Sequence, residues 1–292
     1  MIKYNPKNWG LLFTFQGVLL KKLLGGMIVQ TSLIITLAIL DKNEFITLQF
    51  SNTLPGYMGV ALGLLLVFRN NTAYDKWWEA RKEIGALINI TRNFAITING
   101  LLPPANPEKK SITQLIIAFV YATKGHLRRN IIMNELKGVD PDSFEIIKSA
   151  QHKPNIIANL IMKKVELIYK QKLITDIQHY LLITKVNTLV DIMGKCERIR
   201  NTPIPIAYAF LLKFFIIIYV VILPIGLFDD LGYYAIPLGL ILYYILMSIV
   251  LTAEEIEEPF GKDMHDLPFD ELAGVIRKNL LEITQINENH PA

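Results

Sequence analysis

Apolar residues in this chain fall into long uninterrupted runs, separated by stretches in which they recur every three or four positions. Residues 23–40 carry no charge and a single glutamine, Gln30. Residues 54–68 form a shorter run dotted with Gly56, Gly59 and Gly63. Residues 206–228 are apolar apart from Lys213 and the break at Pro224, and residues 231–252 carry no charge. A hydrocarbon core of ~30 Å takes about 20 helical residues to cross. The pattern therefore predicts four transmembrane helices, at about 23–40, 54–70, 206–228 and 231–252. The second reaches the required length only by continuing past Arg69.

Between and after these runs the periodicity is helical, with no alternating strand pattern. Helices are expected at 72–100, continuing the second span, and at 111–132 with Ser111 as its cap. Shorter ones follow at 142–150, 155–171 and 173–200, and a last amphipathic helix at 269–287. Val139–Pro141 reads as a turn, and Thr202-Pro-Ile-Pro205 as a stiff link back into the membrane, because each proline fixes its φ. Residues 5–20 read either as an amphipathic helix at the interface or as a soluble helix packed on the body. The fold class is an all-α membrane protein, a single unit over 1–292 whose helical cytosolic parts are 71–205 and 253–292.

Composition agrees with a membrane assignment. The chain is 52% hydrophobic and 19% charged, against about 25% charged for soluble domains. Its net charge of +4 includes no basic block of the kind that marks a nucleic-acid surface. Lys21, Lys22, Arg69, Lys76, Arg81, Lys82, Arg92, Arg198 and Arg200 all flank one side of the spans. The positive-inside rule then places both termini and residues 69–205 in the cytoplasm. The single cysteine, Cys196, rules out an intrachain disulfide and argues against a thiolate zinc site.

Val60, Leu64 and Phe68 stand at i, i+4 and i+8, on one helix face over ~12 Å of rise. Spacing leaves two meanings open: packing within the subunit, the commoner one, or stacked apolar rings around a pore, which can gate by dewetting. Arg69 and Lys213 read as snorkelling side chains, and Asp75, Glu79, Lys76, Arg81 and Lys82 as a salt-bridged helix surface. Glu254, Glu255, Glu257 and Glu258 form an acidic cluster at the cytoplasmic end of the last span, either an ion-selecting group or a solvated face. The five histidines show no HxxxH or HExxH pairing, so no metal site is expected. No P-loop, GxGxxG or GxSxG is present, and neither an enzyme activity nor a cofactor is expected.

Phe68-Arg-Asn-Asn-Thr-Ala-Tyr-Asp-Lys-Trp-Trp-Glu-Ala-Arg81 closely resembles the signature of bacterial bestrophins. So do Cys196-Glu-Arg-Ile-Arg-Asn-Thr-Pro-Ile-Pro205 and Ala253-Glu-Glu-Ile-Glu-Glu-Pro-Phe-Gly261 followed by Asp266-Leu-Pro268. The resemblance covers nearly the whole chain. It implies a homopentameric ion channel of the bacterial inner membrane, with the second span lining one central pore. The family's neck lies nine, thirteen and seventeen positions before the first tryptophan of the pair, which selects Phe68, Leu64 and Val60 and turns the stripe toward the pore reading. A second, cytosolic aperture is expected at Ile177, with Gln178 and Tyr180 as rivals. Animal members bind calcium through a dense acidic run after Pro-Phe-Gly. Here that run is Lys262-Asp-Met-His-Asp266, which argues against such activation. The resemblance to bacterial members implies monovalent cations, sodium or potassium, as the conducted ions. An anion channel is the near alternative, and a membrane-anchored scaffold or a coupled transporter the more distant ones.

Overall fold

The computed structural model describes residues 10–43, 53–136, 138–263 and 265–286. Among these the regular elements are helices alone. The principal ones are α1 (Gly10–Lys42), α2 (Thr53–Leu101), α3 (Pro107–Leu127), α4 (Pro141–Ser149), α5 (Lys153–Lys170), α6 (Asp176–Asn201), α7 (Ile206–Gly226), α8 (Phe228–Leu231), α9 (Ala235–Glu257) and α10 (Phe269–Thr284). The described helices gather into two compact units, one drawn from residues 10–77 with 203–258, the other from residues 78–202 with 259–286. Helix α2 runs unbroken from Thr53 to Leu101 and contributes to both.

In the first unit α9 packs against both α1 and α7. Its core holds Leu23, Leu62, Leu66, Leu212, Ile216, Val220, Tyr243 and Val250. Three of its helical segments, Leu19–Leu40, Ile206–Gly226 and Gly232–Glu257, are long and apolar enough to cross a bilayer. The apolar start of α2, expected as a fourth span, is not among them.

Pro224 does not end α7 but sits in its last turn. Proline has no N–H, so the carbonyl four residues back, that of Val220, loses its helical donor. Buried Gln30 of α1 supplies one: its Nε2 donates to the Val220 carbonyl at 3.1 Å and to the Gly239 carbonyl at 3.4 Å. The one glutamine of the first span thus meets a backbone group that apolar surroundings would leave unsatisfied. At Gly239 a Cβ would come within 2.5 Å of Pro224 Cγ and 3.3 Å of Ile34 Cδ1. Glycine there allows α1, α7 and α9 to approach closely.

In the second unit α3 lies at the centre, against α5, α6 and α10. Ile112, Leu115, Ile116, Phe119, Ile161, Val165, Phe269 and Ile276 are buried there. The cap of α3 is not Ser111. Asn106 accepts the Glu108 N–H, and Pro107 occupies the first turn with its φ already helical, so the helix starts earlier than apolar periodicity suggests. Helix α6 starts later than expected, at a capping box in which Thr175 and Gln178 satisfy each other's backbone N–H.

The first helix differs from expectation as well: from Gly10 it continues through Lys21-Lys22 to Lys42 as one element. Residues 5–9 of the expected interfacial helix lie outside the described residues, as does residue 287 at the expected end of the last.

Candidate pore-lining helix and its ion pairs

The first half of α2 has two unlike sides. Leu62, Leu66, Arg69 and Ala73 are buried, the spacing of one helix stripe turned toward its own unit. Val60, Leu64 and Phe68 are 76%, 57% and 56% exposed. The apolar stripe singled out from the sequence therefore stays largely exposed among the described residues, which argues against packing inside the subunit. Gly56 and Gly63 have open space where a Cβ would project, so this side of the helix presents small residues and bare apolar side chains together.

Arg69, the residue that ends the apolar run of α2, does not snorkel. Its side chain is 2% exposed and its Nη2 donates to Glu257 Oε2 at 2.6 Å. Glu257 Oε1 accepts the Ile204 backbone N–H at 2.8 Å and lies 3.9 Å from Lys76 Nζ. Glu257 is thus a hub between α2, α9 and the start of α7. Burial lowers the Lys76 pKa below its usual value, although Glu257 and Glu258 pull it the other way.

Two other members of the acidic cluster are paired. Glu254 Oε1 lies 2.7 Å from Lys213 Nζ, which explains the lysine in the third apolar run without snorkelling. Glu255 Oε1 accepts from Lys22 Nζ at 2.7 Å. Glu258, the C-cap of α9, is exposed. The polar surface expected on α2 beyond Arg69 also pairs outward: Arg198 of α6 donates to Glu79 at 2.7 Å, and Lys195 lies 3.4 Å from Glu83. Intrahelical i,i+4 spacing suggested neighbours on α2 itself.

The candidates for the cytosolic aperture separate by geometry. Gln178 is engaged in the α6 capping box. Ile177 is 82% exposed in the first turn of α6, and Tyr180 follows it, also exposed. The element after Pro-Phe-Gly is tied down by Asp266, a buried carboxylate whose Oδ2 accepts the Asp263 N–H.

One cluster escaped the sequence reading. His126 near the end of α3, His152 at the N-cap of α5 and Glu197 of α6 converge, with both imidazole Nε2 atoms within 2.8 Å of Glu197 Oε1. Burial, followed by the adjacent His152, holds the His126 pKa below its ordinary value, against the pull of Glu197. No short-range motif announces the cluster, because its members sit on three elements.

The sequence profile of the bacterial/fungal bestrophin proteins matches residues 1–282. A voltage-dependent anion channel-forming protein of Nostoc sp. is 36% identical over 236 residues, 79% of this chain and 76% of that protein. The voltage-dependent anion channel-forming protein YneE of Salmonella typhi is 27% identical over 286 residues, 97% of this chain and 94% of that one. The crystal structure of a bacterial bestrophin homologue from Klebsiella pneumoniae superposes with a TM-score of 0.84 at 26% identity, covering 90% of this chain and 99% of that one. With the family profile spanning almost its entire length, the chain belongs to the bacterial/fungal bestrophin family of ion channels.

Proposed function

We propose that the whole chain is one subunit of a homopentameric channel in the bacterial inner membrane, with both termini cytoplasmic. The start of α2, about residues 54–70, acts as its fourth span and lines the pore. The observation that carries this reading is the exposed stripe of Val60, Leu64 and Phe68 on a helix whose other side is packed on its own chain. A short span of this kind is tolerated where it faces other copies of itself and a wet axis rather than lipid alone. Stacked apolar rings from several copies would form a neck that excludes ions when dry, and Ile177 would form the second constriction in the cytosol.

For the sign of the ion, monovalent anions are the better-supported reading. The relatives are named as anion channel-forming proteins. The acidic cluster would favour cations only where it faces the pore, and Glu254, Glu255 and Glu257 each have a basic partner in the same unit. Of that cluster, exposed Glu258 is the residue that still favours cations.

The test is the reversal potential of the purified channel in planar bilayers under a sodium chloride gradient. Reversal near the chloride equilibrium potential supports the anion reading, and reversal near the sodium potential overturns it. Absence of any unitary current from assembled protein would overturn the channel reading itself and favour a scaffold or transporter.

A further inference from the structure

We propose that His126, His152 and Glu197 form a binding site for a divalent transition-metal ion of the zinc class. The imidazole Nε2 of His126 lies 2.6 Å from Glu197 Oε1, and that of His152 lies 2.8 Å from the same oxygen. All three donor atoms fall within 4.8 Å of one another. The rings stand 4.5 Å apart between centroids and are tilted by 45°, so both turn a nitrogen toward the carboxylate. The side chains are 24%, 34% and 25% exposed, sheltered but open to an ion and its remaining water.

Two imidazoles and one carboxylate are the donor set of an open zinc site, with the fourth position left to water. Imidazole favours zinc, copper and nickel over magnesium and calcium. Metal–ligand bonds of about 2.0–2.2 Å in tetrahedral geometry put the donor atoms roughly 3.3 Å apart. His126 at 2.6 Å and His152 at 2.8 Å therefore have to withdraw from Glu197 by about 0.7 Å and about 0.5 Å.

Proton placement gives the site a signature. A neutral histidine that ligates through Nε2 keeps its proton on Nδ1. His152 Nδ1 now accepts the Asn155 backbone N–H, in a long bond of 3.3 Å. Ligation through Nε2 puts the His152 ring proton on Nδ1 and ends that bond. Because Ile177 stands in the first turn of α6, a bound ion would tie the helix carrying the aperture candidate to α3 and α5.

The experiment is zinc titration by isothermal calorimetry on tag-free, chelator-treated full-length protein, with X-ray absorption at the zinc edge. About one zinc per chain is expected, with nitrogen and oxygen neighbours, imidazole scattering and no sulfur. The double variant His126→Gln/His152→Gln should bind at least about tenfold more weakly. His179→Gln removes a different histidine–glutamate pair and should leave binding unchanged. Glu197→Gln retains an oxygen acceptor for both rings, so it decides the matter if the double variant fails to fold. Zinc binding unchanged in Glu197→Gln and in the folded double variant, no binding by the wild type, or a sulfur neighbour in the spectrum would each overturn the site.

Discussion

Replacing Glu257 by glutamine leaves the shape of the side chain intact and strands the Arg69 guanidinium. Arg69 is 2% exposed and Glu257 13%, so neither has bulk water to fall back on. The Arg69 Nε and Nη1 have no hydrogen-bond partner among the described residues, which leaves neutralisation to the Nη2 bond at 2.6 Å. Removing one member of a buried pair costs about 3–5 kcal/mol, mostly from the unpaired charge left behind. At about 2–4 °C per kcal/mol for a chain of this size, the melting midpoint should fall by roughly 6–20 °C. Arg69→Met should be milder, because Glu257 keeps the Ile204 N–H and Lys76. The double variant should recover part of the loss, with a coupling of about 2 kcal/mol. The assay is thermal loss of helical circular dichroism in detergent micelles. A Glu257→Gln shift under about 2 °C, or additivity within about 0.5 kcal/mol, would refute the buried-pair account.

Two further outcomes follow from buried and charged groups in the other unit. Burial pushes the Cys196 thiol up to about 12, with Glu83 adding to it. The folded protein should therefore resist maleimide at pH 8 and take one label per chain on unfolding, and rapid labelling of folded protein would contradict this. Burial works to raise the Asp270 pKa, but hydrogen bonds from Arg128 and Lys124 outweigh it and the net shift is downward. A carboxyl depressed in the folded state contributes stability above its unfolded value, about pH 4, and loses it as pH falls through the folded value. Asp270→Asn should flatten the fall in melting midpoint below about pH 4. Since Asp270 is 61% exposed, the effect should be small, and an unchanged acid slope would remove the pair from the stability account.

Legibility followed sequence distance. The strongly apolar α7 and α9 were readable because bilayer thickness demands long runs, and the stripe at Val60, Leu64 and Phe68 because helical spacing displays it. Its exposure was not readable, since a stripe looks the same whether it packs or lines a pore. Arg69 and Lys213 looked like snorkelling residues because their partners, Glu257 and Glu254, lie far along the chain. The acidic cluster suggested ion selection for the same reason: a run of carboxylates shows its charge and hides its counterions. Asn106 is hidden as a cap, and Ser111 reads as one, because the Pro107 that starts the helix also reads as a break. His126, His152 and Glu197 lie on three separate elements, so only tertiary structure brings them together.

The central claim is that the uncovered side of α2 is the conduction barrier. The most direct test is the unitary conductance of Val60→Ala/Leu64→Ala/Phe68→Ala in planar bilayers, compared with the wild type and with Phe210→Ala, an exposed position on α7. Higher conductance in the triple variant with no change in Phe210→Ala is the predicted result. Unchanged conductance in an assembled triple variant would contradict the account and return the stripe to packing between helices.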